Sequence, residues 1–277
     1  MNKLLSANLA RLWKSKVFRL CALSIFLLGA YGYWEAYDYV KKGILQYTLE
    51  RQMFSPVPLV GIVIAILCSL FFGAEFGFGT IRNKLTAGYT KTVVYLAMLL
   101  TGVIAGLILC VFYLMATILV GMPLLGFFET DLVTVAYFAF CMLGVVCVFT
   151  AIMMLIVIVC ANRATAVVLG SLLALILIFV SGRIDSRLYE PEMMDQYILI
   201  DSTGRPIEVE AQPNPLYLEG TAREVCQWIH DILPSGQSMQ ISNLAGDYPL
   251  RWPACSLIVF FAVSGLGICL FERKDLS

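Results

Sequence analysis

Six long apolar runs, set apart by short stretches in which the charges gather, organise this chain. A helix needs about 20 mostly apolar residues to cross a bilayer, because its backbone groups must pair within the segment once they leave water. The runs lie at about Phe18–Trp34, Pro56–Ala74, Thr92–Val120, Leu132–Ala161, Ala164–Gly182 and Pro253–Phe271. Pro56 and Pro58 stand near the start of the second run, where proline costs a helix least. Gly121 and Pro123 separate the third from the fourth, and Asn162-Arg163 separates the fourth from the fifth. The first run is free of charge only from Leu20 onward, and Arg19 can snorkel to the interface. A basic segment precedes it, as in a secretory signal, but no small-residue cleavage site follows, so it is read as a retained helix.

Composition agrees with this pattern. Of the 277 residues, 60% are hydrophobic and 14% charged, with a mean hydropathy of +0.85, whereas a soluble domain is about a quarter charged. The expected fold is an α-helical membrane protein with six transmembrane helices. A net charge of zero and a single histidine give no electrostatic case for nucleic acid. Of the nine cysteines, only Cys226 lies outside the apolar runs, so no disulfide framework is expected. No Cys/His spacing suggests a metal.

An even number of spans puts both termini on one side, and the distribution of lysine and arginine says which. Lys3, Arg11, Lys14, Lys16 and Arg19 precede the first span; Arg82, Lys84 and Lys91 lie between the second and third; Arg163, Arg273 and Lys274 follow the same side. The short third-to-fourth loop carries Glu129 and Asp131 and no basic residue. Both termini are therefore expected in the cytoplasm, although Lys41, Lys42 and Arg51 run against the trend.

Two segments outside the spans carry patterns of their own. Residues 1–17 place Leu5, Leu9, Leu12 and Trp13 on one helical face, which favours an interfacial helix over a plain basic leader. Between the fifth and sixth spans, 69 residues from Arg183 to Arg251 hold eleven acidic and five basic side chains, an extracytoplasmic α+β insertion (183–251). Within it, "YILIDSTGRPIEVE" reads as a hairpin around Gly204. "TAREVCQWIHDILP" reads as a helix with Thr221 and Glu224 in capping-box register. Its stripe of Val225, Trp228, Ile229, Ile232 and Leu233 is expected to bury against the hairpin or the outer membrane surface. His230 is expected at the surface, since no second ligand accompanies it.

Away from their ends, the spans hold no Asp, Glu, His or Lys. An intramembrane enzyme needs such groups, so no catalytic residue is expected. A charge at mid-bilayer costs at least about 2.5–3.5 kcal/mol and persists where ions are moved, so the pattern also disfavours proton-coupled antiport. "GAEFGFGT" lacks the Gly-Lys-Ser/Thr of a phosphate-binding loop, and any energy must come from a partner. Gly102 and Gly106 permit close helix approach, through intramolecular packing ahead of dimerisation.

The charged interruption at 75–91 is the candidate functional stretch. Gly73, Gly77 and Gly79 loosen the chain, Thr80 is the expected N-cap, Ile81–Ala87 make about two turns, and Gly88 closes them. Ile81 and Leu85 share a face, with Arg82 and Lys84 pointing elsewhere. So short a helix is marginal alone and must dock against this chain or another protein. An ordinary positive-inside loop would show the same charges.

"EFGFGTIRNKLTAGYTK" resembles the second-to-third loop of the permease subunits of bacterial ATP-binding-cassette exporters, the ABC type-2 permease class. The matching positions are Glu75, Phe76, Gly79, Thr80, Arg82, Asn83, Leu85, Gly88 and Lys91. The family's "NPxYxxGxxR" and "LPxGQ" are similar to Asn214, Pro215, Tyr217, Gly220 and Arg223, then Leu233, Pro234, Gly236 and Gln237, and "FERKDLS" is similar to its ending. Lys91 stands where arginine is common, and Met98 where many members have lysine. The resemblance covers nearly all of residues 1–277 as one six-span permease domain.

It implies a coupling helix, formed by Glu75, Thr80, Ile81, Arg82, Asn83, Lys84, Leu85, Gly88 and Lys91, seated in a separate ATPase subunit. It further implies two ATPase subunits, which hold the ATP and Mg²⁺, a second permease copy or paralogue, and a bacterial cytoplasmic membrane. The substrate expected is an amphiphile such as a peptide, lipid or drug. The competing reading is a non-transporting module whose outer loop senses a ligand and signals inward.

Overall fold

The computed structural model describes residues 1–194, 197–200, 206–209, 211–245 and 250–275. An amphipathic helix α1 (Asn2–Lys14) stops at Ser15, whose extended backbone starts α2 (Lys16–Lys41) and whose hydroxyl accepts from the Phe18 amide. Helix α3 (Leu49–Phe54) and a 3₁₀ turn at Val57–Leu59 lead into α4 (Val60–Gly77). The short α5 (Thr80–Thr86) precedes α6 (Lys91–Ala116), which passes through a π turn at Thr117–Gly121 into α7 (Met122–Leu125). Pro123 supplies no amide and crowds the carbonyl four residues back, and widening the preceding turn relieves that crowding. Helices α8 (Leu132–Cys160) and α9 (Arg163–Leu188) follow, then the insertion with α10 (Gly220–Ile232) and α11 (Pro234–Ser242), and finally α12 (Arg251–Arg273).

Among the described residues, six helical stretches are long and apolar enough to cross a membrane, as the sequence predicts. Two extend six or seven residues beyond their expected ends. Helix α2 runs past Trp34 to Lys41, and α9 runs past Gly182 to Leu188, so the first turns of the insertion are a continuation of the fifth span. Helices α4 and α8 form the centre, with 56% of their apolar windows buried against 22–28% for the others. Their neighbours are α9 against α4, α12 against α8, and α2 against α6.

Close approach in the centre depends on glycine. A Cβ at Gly102 would lie 2.9 Å from Thr150 Cγ2, and one at Gly106 would lie 2.6 Å from Val146 Cγ1. The pair therefore serves packing of α6 on α8 within the chain.

The insertion contains two antiparallel pairs: β1 (Met193–Met194) with β4 (Gln212–Pro213), and β2 (Tyr197–Ile200) with β3 (Pro206–Val209). The expected hairpin strands are present in the register Tyr197↔Val209 to Ile200↔Pro206; the turn at Gly204 lies outside the described residues. The capping box does not form. Helix α10 starts at Gly220, whose φ of 53° suits glycine, and Glu219 occupies the N-cap without a side-chain bond. Residues Val225, Trp228, Ile229 and Ile232 are exposed instead of packed on the strands, which leaves the membrane surface as the expected cover.

Pro234 is expected to end α10, and no element is expected after it; there α11 forms, with Pro234–Ser238, Gln240 and Ile241 buried, and packs on α8, α9 and α10.

Candidate functional site

Helix α5 lies on the face of the bundle that carries both termini. Its entry differs from expectation: Gly79, at φ 65°, is the N-cap, and Thr80 is the first helical residue. A side chain at Gly79 would strain this left-handed backbone. Its exit is a Schellman motif, with the Gly88 amide donating to the Leu85 carbonyl (2.9 Å) and the Tyr89 amide to the Lys84 carbonyl (3.3 Å). Gly88, at φ 89°, is the residue this motif requires.

The helix docks on its own chain first. Ile81 is 2% exposed and Leu85 packs beside it against the core. The face left open carries Arg82, Asn83, Thr86 and Ala87, and the preceding Phe78 is 78% exposed. So the Ile81–Leu85 face is not the one a partner would meet.

Beneath α5 a carboxylate is fully enclosed. Glu75, near the end of α4, is 1% exposed, which is costly unless its charge is paired and hydrogen-bonded. Lys84 Nζ donates to its Oε2 at 2.6 Å, and the Arg11 guanidinium pairs with its Oε1. Lys84 also donates to Asn8 Oδ1 (3.2 Å), and Arg11 stacks 4.5 Å from the Phe71 ring centroid. Lys84 thus turns inward, contrary to its expected outward position.

Sequence reasoning overlooked Asn8 and Arg11. The inner face of α1 is Leu4, Asn8 and Leu12, with Trp13 exposed. A polar residue in the middle of that i, i+4 row was the available signal.

Lys91 does not reach Glu75. It donates to the carbonyls of Glu272 (2.9 Å) and Lys274 (2.8 Å), while Thr92 Oγ1 donates to Glu272 Oε1 at 2.6 Å. Lys274 Nζ in turn donates to the carbonyls of Ile158 (2.6 Å) and Val159 (3.0 Å) at the end of α8. A cation at a helix C-terminus satisfies orphan carbonyls and opposes the dipole. The Phe-Glu-Arg-Lys ending therefore ties α6, α8 and α12 together. Met98 is fully buried in the core.

The opposite face holds the second motif, again as structure. Asn214 Nδ2 donates to Glu190 Oε2 (2.8 Å) and to the Pro191 carbonyl (3.0 Å), while its Oδ1 accepts from the Leu216 amide. Pro215 follows it directly into the turn closed by the Tyr217 amide. Arg223 lies 5.4 Å from the Tyr217 ring centroid and donates to the Leu188 carbonyl at 3.0 Å. These contacts fasten α10 to the end of α9. Pro234 opens α11, and Gln237 Nε2 donates to the Asp231 carbonyl (2.7 Å) while its Oε1 accepts from Ser256 (2.7 Å). A Cβ at Gly236 would sit 2.0 Å from the His230 carbonyl oxygen.

His230 is not at the surface. It is 1% exposed, with Nε2 3.5 Å from Asp185 Oδ1. Burial pushes its imidazole below the ordinary value, opposed by the charge of Asp231. That carboxylate accepts from Gln240 (2.9 Å) and Trp252 Nε1 (3.0 Å) and meets Arg251 at 2.6 Å. Among the described residues no group of three metal-ligating side chains assembles.

The family model for ABC-2 family transporter proteins matches residues 4–181. The chain belongs to the ABC-2 transporter family. No curated protein matches it. As an ABC-2 protein it is a multi-pass membrane permease of an ABC transporter, a class of non-catalytic subunits that associate with ABC ATPase subunits. The matched region contains most of α1, all of α5 and all of the Glu75 cluster, and ends just before the insertion.

Proposed function

We propose that this chain is the permease subunit of an ABC exporter, with α5 as the coupling helix on which an ATPase subunit seats. The single observation that carries this reading is the buried Glu75, bonded from both sides by α1 and α5, which makes the short helix a rigid extension of α4. A helix that must pass on a displacement has to be fixed to what it moves, and a paired, enclosed charge fixes it in one geometry. The contact surface is Phe78, Arg82, Asn83 and Thr86. Two ATPase subunits, which hold ATP and Mg²⁺, and a second permease copy or paralogue complete the transporter. The substrate class is an amphiphile such as a peptide, lipid or drug. The basic residues gathered around α1, α5 and the C-terminus support a cytoplasmic position for that face, and the membrane proposed is a bacterial cytoplasmic membrane.

The test is co-purification of the tagged chain in gentle detergent with its ATPase, followed by substrate-stimulated ATP hydrolysis in vesicles. Recovery of the ATPase with the parent chain and its loss with Phe78→Asp and Asn83→Glu is the expected result. Recovery of an intact chain with no ATPase would overturn the reading and favour the ligand-sensing module.

A further inference from the structure

Between α2, α4, α6 and α8 lies a cavity of about 320 Å³. Its walls are apolar, with Ile25 and Leu28 on α2, Val60 and Val63 on α4, Leu109 on α6 and Met142 on α8. No charged side chain lines it. Its polar groups, Gln52, Ser55 and the Tyr113 hydroxyl, gather at one end, where both hydroxyls donate to the Gln52 carbonyl at 3.0–3.1 Å. The Gln52 amide lies against Gly32, 2.6 Å from where a Cβ would stand. Gly32 sits between the exposed aromatics Tyr31 and Trp34, the residue types that mark a membrane interface.

The depth of the cavity follows from α2. From Gly32 down to Ile25 is seven residues of helix, roughly 10 Å at 1.5 Å per residue, within the roughly 15 Å that half of a ~30 Å hydrocarbon core provides. Water is a poor occupant, since an apolar cavity of ~150 Å³ stays dry and takes benzene instead. A charged or compact polar solute would find no partner below the rim. What fits is long, apolar and polar at one end only.

We propose that this cavity is a binding site for a single hydrocarbon chain of a bilayer amphiphile, inserted from the leaflet opposite the termini, with its polar head beside Gln52 and Ser55. A resident lipid and a transported amphiphile present the same chain to it. The site stands apart from α5, so it does not depend on the ATPase partner.

The test uses the purified full chain in nanodiscs containing a phosphatidylglycerol with a diazirine midway along one acyl tail. After illumination, label is expected on peptides containing residues 52–64 and 106–113 in excess of the lipid-facing peptides around Phe179 and Phe261. Val63→Trp, or Leu109→Phe should the first variant fail to fold, is expected to lower cavity labelling about tenfold and leave the lipid-facing label unchanged. Equal labelling of filled and parent proteins, or no excess over the lipid-facing peptides, would overturn the site. Loss of label on turnover with the ATPase and ATP would make the chain that of a cargo molecule, and retention would make it that of a resident lipid; both carry the site.

Discussion

Lys84 Nζ, on α5, lies 2.6 Å from the enclosed Oε2 of Glu75, on α4, so a short surface helix and a membrane helix share one buried charge. Arg11 closes the other oxygen of the same carboxylate. The two cations differ in exposure, 12% for the Lys84 side chain and 38% for Arg11, and their removal should differ accordingly. Lys84→Met is expected to cost about 3 kcal/mol, the range for breaking a buried pair, and Arg11→Met about 1 kcal/mol, since water screens it. Thermal unfolding in detergent, with the double variant to give the coupling energy, measures both.

Leu85→Asp and Phe78→Asp place the same charge on two sides of one short segment. Leu85 packs on the core, so its variant should unfold earlier, by about 2–4 kcal/mol in stability. Phe78 is open, so its variant should keep the parent unfolding temperature and lose ATPase capture. Equal unfolding temperatures for the two variants would contradict the assignment of faces.

Gly236→Ala tests the close crossing of α10 and α11. The added methyl would meet the His230 carbonyl oxygen at 2.0 Å, a backbone atom that no rotamer change can remove. A loss of at least about 2 kcal/mol is expected, visible as a lowered unfolding temperature in a chain that still inserts.

His230 sets a pH dependence. Burial holds its folded-state pKa below the ordinary 6.5, so the unfolded chain binds the proton first as pH falls. Its contribution is fully present above pH 6.5 and is lost from there down to the lower folded value. His230→Gln should therefore show a smaller drop in unfolding temperature between pH 7.5 and 5.5 than the parent, by roughly 2–4 °C. Identical drops would sink this account of the imidazole.

The spans were legible because a bilayer imposes length and apolarity on each helix independently of its neighbours. The α5 segment was legible from its glycines, and Gly88 does close it. What could not be read was where charges meet across distance. Nothing local in the chain ties Asn8 and Arg11 to Glu75, and the face of α5 that turns inward is decided by that pairing. Likewise α11 is polar because its partners are polar: Ser181 shares a hydrogen bond with Ser235, and Gln237 is satisfied by neighbouring helices. Buried polar groups that complete one another across helices leave no apolar period along the chain from which an element could be read. His230 was misjudged for the same reason, since Asp185 lies on another helix.

The wedging of α11 also orders events during synthesis. Its serine meets α9, already made, but Gln237 accepts from Ser256 and donates to the Trp252 carbonyl, both on α12. Until that last helix emerges and inserts, Gln237 keeps its bond to the Asp231 carbonyl on α10 but lacks those to α12. The outer end of the bundle is thus the final part to lock.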